Sequence, residues 1–235
     1  MDKKKFTAII LSAGTGSRMK SNMPKQYMEL LGKPVIYYSI KAFEDSPVDE
    51  IVIVCSTDYI EYFRHSIIEK YGFEKVKAVV QGGKERYNSV YEGLKAANGT
   101  DYVLIHDAAR PFMSEDLLNR TLSAAVGHDG AIPVLPVTDT MYRSRDGKTL
   151  NGCLPRGEIY AGQAPEAFRF GPYLEANEAL LPDRIRGING STEPALMAGL
   201  DMAILPGEPG NFKVTIAEDM DRVRQIIMGD DVSGG

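Results

Sequence analysis

Cysteine is scarce in this 235-residue chain: Cys55 and Cys153 stand far apart and lack the spacing of a metal-ligand set. Cys55 falls in an apolar strand, which predicts a buried, inert thiol, and the cysteine usage points to a reducing, cytoplasmic setting. No secretory h-region and no apolar run of membrane-spanning length is found, so no membrane association is expected. Internal repeats and low-complexity segments are missing too, apart from a tail at 230–235 that is expected to fray. A basic excess is also absent. The formal charge of −5 argues against nucleic acid as a partner recognised through an overall positive surface. Any anionic ligand must therefore be held by a local cluster of cations.

What is present suits one α/β domain over residues 1–229. Short apolar runs at 6–11, 51–55, 76–80 and 102–106 read as buried strands, and amphipathic patterns between them read as helices. Pro34 suits a first helical turn, with Ile36, Ile40 and Phe43 following at helical spacing. Val90, Leu94 and Ala97 mark the apolar side of a second helix. Ser114 is the expected N-cap of a third, which carries Leu117, Leu118, Thr121 and Ala125. Thr215-Ile-Ala-Glu218 reads as a capping box opening a last helix with Met220, Val223 and Ile227. The stretch 136–160 breaks the alternation. Polar and thin in apolar residues, it reads as a β-arm turning at Asp146-Gly147. Such an arm cannot build its own core, so a second copy of the chain is the economical partner, with a surface loop as the alternative.

Polar clusters recur just beyond the predicted strands, where open α/β sheets gather ligands. After the first strand, Leu11-Ser-Ala-Gly-Thr-Gly-Ser-Arg-Met19 and Pro24-Lys-Gln-Tyr27 supply Gly14, Gly16, Arg18 and Lys25. The glycines open backbone conformations closed to other residues, exposed amides can cup an anion, and the two cations add full charge. A triphosphate fits such a site. The Gly-Lys-Ser/Thr ending of the common phosphate loop is absent. So are the third glycine and the ribose-binding acid of the dinucleotide fingerprint. After the third strand comes Gly82-Gly-Lys-Glu-Arg86, then Ser89, which shares a helix face with Arg86. After the fourth comes Asp107-Ala-Ala-Arg-Pro111. His106 reads as a polar core residue rather than a base.

These motifs, with Pro136-Val-Thr-Asp-Thr140, Arg156, Gln163-Ala-Pro165 and Asn211-Phe-Lys-Val214, resemble the 2-C-methyl-D-erythritol 4-phosphate cytidylyltransferases over about 7–227. The resemblance implies a Rossmann-like, mostly parallel sheet flanked by helices, with a protruding β-arm used in homodimerisation. It implies an enzyme that joins CTP to methylerythritol phosphate, releasing pyrophosphate, with Mg2+ bound mainly through the CTP phosphates. Carried over residue by residue, Arg18 and Lys25 become the catalytic cations. Ala13, Gly14, Gly83, Arg86, Ser89 and Ala108 surround the nucleotide. Lys213, Arg156, Thr140, Arg110 and Asp107 position the acceptor, and Asp107 is the carboxylate to consider as a supporting metal ligand. Arg156 and Thr140 would come from the partner's arm. The chain departs from the pattern in three places. Ala164-Pro-Glu166 replaces Thr-Pro-Gln, Ser191-Thr-Glu193 replaces Thr-Asp-Asp/Glu, and Lys84 replaces Asp. Two departures touch the acceptor side, so a cytidylyltransferase for another polyol phosphate, such as ribitol 5-phosphate, stays open. A catalytically inactive nucleotide-binding protein is the other alternative.

Overall fold

The computed structural model describes residues 3–14 and 24–215, with Asp219 and Val223 beyond them. Gly16, Arg18, Glu218, Met220, Ile227 and the tail at 230–235 lie outside the described residues. The strands are β1 (Phe6–Leu11), β2 (Glu29–Leu30), β3 (Lys33–Pro34), β4 (Glu50–Cys55), β5 (Val76–Gln81) and β6 (Tyr102–Asp107). They continue with β7 (Gly130–Pro136), β8 (Tyr142–Arg143), β9 (Gly152–Cys153), β10 (Tyr160–Gly162), β11 (Glu166–Arg169) and β12 (Met202–Pro206). The α-helices are α1 (Val35–Glu44), α2 (Arg86–Ala96), α3 (Glu115–Val126), α4 (Phe170–Glu178) and α5 (Thr192–Met197). None of the described helices is long and apolar enough to cross a membrane.

The main sheet runs β10-β7-β11-β6-β1-β4-β5, with β12 also paired to β7. It is mixed and mostly parallel. The pairs β6–β1, β1–β4, β4–β5 and β7–β12 are parallel, whereas β11 and β10 run antiparallel to their neighbours. Alternation along each strand sends successive side chains to opposite faces. Ala8, Ile10, Ile51, Ile53 and Leu104 face Ile36, Ile40 and Phe43 of α1 and Leu117 and Leu118 of α3. Ile9, Val52, Val54, Val103 and Ile105 face Val90 and Leu94 of α2 and Tyr173 of α4. Each large side chain buried this way contributes about 1.5–3 kcal/mol of transfer free energy.

Local signals hold where they are chemical. The Ser114 hydroxyl accepts from the Leu117 N–H and starts α3. The expected capping box rests on Glu218, outside the described residues; among those described, the Asp219 carboxylate accepts from the Thr215 N–H at 2.6 Å and from its hydroxyl at 2.9 Å. Two expectations need correction. Pro34 stands at the N-cap of α1 with extended backbone, outside the first turn, because it still pairs with Glu29 in the small β2–β3 ladder. β5 is only half-buried, since it is the edge strand and one of its sides has no neighbour to cover it.

The arm is present. β7 and β10 form its base, pairing Pro136 with Tyr160, and β8 and β9 form a small antiparallel ribbon at its end. Residues 138–153 are all exposed. The turn differs in size from a two-residue hairpin, spanning 144–151 between the last paired residues. Asp146 organises it by accepting from the N–H groups of Lys148 and Thr149, while Gly147 takes φ +68°.

Candidate active site

Strand order reverses at β1: the chain leaves it toward β4 and β5 and returns on its other side as β6. Such a switch point leaves a crevice beyond the carboxyl ends of the strands. A cavity of about 300 Å3 fills this crevice. Its lining includes Ala13 and Gly14 after β1, Gly83, Arg86 and Ser89 after β5, and Asp107 and Ala108 after β6, together with Lys25 and Lys213. The whole expected nucleotide set is thereby brought together. Four lining cations, Lys25, Lys84, Arg86 and Lys213, outnumber the lining carboxylates Glu85 and Asp107, giving a locally positive pocket in an acidic chain.

Close packing shapes the β5 side. A Cβ on Gly82 would sit 2.7 Å from both the Ala13 Cβ and the Ser89 Oγ, and one on Gly83 would sit 2.1 Å from the Asn88 Cβ. Only glycines let this turn pass between the first loop and α2. Gly14 itself is not at positive φ, and among the described residues a Cβ there would meet nothing within 4 Å. Among the described residues there is thus no steric demand for glycine at that position, and the rest of the expected glycine loop lies outside them. Two residues of the motif that carry no role in the sequence reading brace the loop. Gln26 donates to the carbonyls of Ser12 and Gly14, both at 2.8 Å, and the Tyr27 hydroxyl donates to the Ser12 carbonyl at 3.0 Å. Their position directly after Lys25 was the available signal. Lys25 itself donates to the Val214 carbonyl, linking the first loop to the segment that carries Lys213.

Asp107 is the electrostatic centre. Its carboxylate accepts from Lys213 at 2.9 Å, lies 3.5 Å from the Arg86 Nη2 and 3.9 Å from the Arg110 Nε. Burial pushes its carboxyl upward, but Arg86 and Lys213, with Arg110, outweigh that and hold it well below the usual carboxylate range. Arg110 is tucked behind, donating to the Asn211 carbonyl at 2.7 Å, and it is not among the cavity-lining residues. Behind it, His106 is fully buried and its Nε2 lies 3.1 Å from the Arg110 carbonyl, so that nitrogen carries the proton. Burial lowers the His106 pKa to about 4, leaving the imidazole neutral, and its Nδ1 has no partner among the described residues.

Within one chain, Thr140 and Arg156 are not brought to this cavity. Both are exposed on the arm, and Arg156 donates to the Thr138 carbonyl at 3.0 Å. Two departures from the family pattern meet each other instead. The Thr192 hydroxyl donates to the buried Glu166 carboxylate at 2.6 Å, and Arg86 reaches Ser191 at 2.6 Å and Glu166 at 3.7 Å. Sequence reasoning assigned no role to this cluster. Among the described residues no group of three or more His, Cys, Asp or Glu is placed to hold a metal.

Residues 6–229 match the family described as IspD, 2-C-methyl-D-erythritol 4-phosphate cytidylyltransferase. The chain is 39% identical over 220 residues to the enzyme of that name from Lachnoclostridium phytofermentans, covering 92% of this chain and 94% of that one. It is 38% identical to that of Geobacter metallireducens, covering 91% and 93%. The crystal structure of the 4-diphosphocytidyl-2C-methyl-D-erythritol synthase from Anaerococcus prevotii superimposes with a TM-score of 0.82, at 27% identity over 96% of each chain. With the family model matched over residues 6–229 and relatives 38–39% identical along nearly the whole chain, the chain belongs to the 2-C-methyl-D-erythritol 4-phosphate cytidylyltransferase family.

Proposed function

We propose that this protein transfers the cytidylyl group of CTP to 2-C-methyl-D-erythritol 4-phosphate in isoprenoid precursor synthesis. One observation carries the reading: the switch-point cavity gathers Lys25, Arg86, Lys213 and the backbone of Ala13, Gly14, Gly83 and Ala108 around a space lined by more cations than carboxylates. An acceptor phosphate oxygen forms a bond to the α-phosphorus of CTP as the bond to the β-phosphate bridging oxygen breaks, and pyrophosphate leaves. No protein nucleophile is required. Charge builds on the non-bridging α-oxygens, so fixed cations bind the transition state more tightly than the ground state. Lys25 and Arg18 take that role. Ala13, Gly14, Gly83, Arg86, Ser89 and Ala108 surround the nucleotide, and Asp107 helps to position the substrates. Lys213 receives the acceptor, joined by Thr140 and Arg156 from the arm of a second copy in a homodimer, and Arg110 supports it from behind through Asp107 and the Asn211 carbonyl.

A divalent cation such as Mg2+ fits a site of this kind when most of its ligands come from phosphate oxygens and water, as this hard ion prefers. Asp107 would be the supporting carboxylate. When bound, the ion neutralises charge across the triphosphate. The reaction unit is one domain, and it works in the cytoplasm.

A second acceptor is favoured by one feature. Ala164 is buried with its carbonyl held by the Asn211 side chain at 2.7 Å, and it offers no hydroxyl to an acceptor phosphate. Pyrophosphate release from CTP, measured against a panel of polyol phosphates, decides between them. Methylerythritol phosphate should react fastest, and an equal or greater rate with ribitol 5-phosphate overturns the assignment. Arg18→Ala or Lys25→Ala should lower kcat by about a hundredfold or more. Arg156→Ala and Lys213→Ala should instead mainly raise the acceptor KM.

A further inference from the structure

Arg86 opens α2 and its side chain is 31% exposed, so the guanidinium lies on the cavity wall rather than deep in the core. A long side chain in that position recognises a ligand well only when its planar fork is already oriented. Three groups meet the fork: Ser191 at 2.6 Å, Asp107 at 3.5 Å and Glu166 at 3.7 Å. Asp107 is shared with Lys213 and Arg110, so it cannot orient Arg86 alone. Ser191 is fixed from behind, because its carbonyl accepts from the buried Tyr173 hydroxyl at 2.8 Å.

Glu166 is the unusual member. It begins β11, opposite Ile105 of β6, and it is 7% exposed. A buried carboxylate is costly unless hydrogen-bonded and paired. Thr192 satisfies one oxygen at 2.6 Å, which leaves the other turned to Arg86. Burial pushes the Glu166 carboxyl upward, and Arg86, then Thr192, counter it.

We propose that Glu166, oriented by Thr192, is a positioning residue that aims the Arg86 guanidinium at the bound nucleotide. This rests on the CTP reading above and adds a residue that does not itself line the cavity. It makes a counter-intuitive prediction. Removing a negative charge from an anion site ordinarily strengthens anion binding, whereas here it releases the fork and weakens it.

CTP binding by titration calorimetry, with kinetics at saturating CTP, tests this on the full chain. Glu166→Gln should weaken CTP binding about fivefold, the scale of one partly buried ion pair, while kcat and the acceptor KM stay within about twofold. Thr192→Val should weaken it in the same direction but less. Tighter or unchanged CTP binding in Glu166→Gln overturns the proposal. The Arg86 guanidinium signals in the NMR spectrum give a readout independent of CTP. Hindered rotation should resolve the two Nη groups in the parent and merge them in Glu166→Gln. A parent that ignores CTP but shows this change keeps the clamp and refutes the nucleotide reading, and merged signals in the parent refute the clamp.

Discussion

Lowering the pH from 7.5 to 4.5 should remove roughly 2–3 kcal/mol of folding stability through a single residue, His106. The imidazole is fully buried between β6 and α1, edge-on to Phe43 at 5.2 Å, and among the described residues has only the Arg110 carbonyl to accept its proton. Its folded pKa is lowered to about 4 by burial, against about 6.5 in an unfolded chain. Between those two values the unfolded chain binds the proton and the folded chain does not. The stability is therefore fully present above about pH 6.5, declines as pH falls, and levels off below about 4. At about 1.36 kcal/mol for each pH unit separating the folded and unfolded values, the whole effect is roughly 3–4 kcal/mol, most of which is lost by pH 4.5. Urea unfolding of the parent and of His106→Asn across this range isolates the effect, since every other titrating group is common to both. The variant should be less stable at pH 7.5 and show the shallower acid dependence. Parallel curves for the two proteins, or an NMR titration placing His106 near 6.5, would refute the reasoning.

Asp107→Asn leaves Lys213, Arg86 and Arg110 facing one another without their shared carboxylate, and should cost about 3 kcal/mol at neutral pH by urea unfolding. Because the folded carboxyl is depressed, that contribution is present above the unfolded value of about 3.9 and lost as pH falls below it, so the parent and the variant should converge in acid. Gly83→Ala drives a Cβ into Asn88, whose side chain caps α2, and should lower stability by about 1–3 kcal/mol in thermal unfolding while weakening CTP binding. Ser114→Ala removes the acceptor for the Leu117 N–H and should cost about 1 kcal/mol in urea unfolding without altering CTP affinity, because α3 starts outside the cavity lining.

Much of the central sheet is legible in the amino-acid sequence because its signals are short-range. Apolar runs bounded by Gly and polar residues mark β1, β4, β5 and β6 to within a residue at either end, and the hydroxyl of Ser114 marks the start of α3. The clusters Gly82-Gly83 and Asp107–Arg110 declare themselves as strand-end loops for the same reason: glycine and charge directly after an apolar run have few other uses. What periodicity does not encode is strand order. Whether 76–81 is central or at the edge depends on what lies beside it, and its half-buried pattern follows from the absence of a second neighbour. The contact of Arg86 with Ser191 joins residues 105 apart, and that of Thr192 with Glu166 joins residues 26 apart. Neither leaves a local trace, since each side chain reads alone as an ordinary polar residue. Sequence determined which residues stand at the ends of strands. The tertiary structure decided which of those ends share a crevice, and which buried charge from a distant strand turns toward it, because ion pairs form through space and not along the chain.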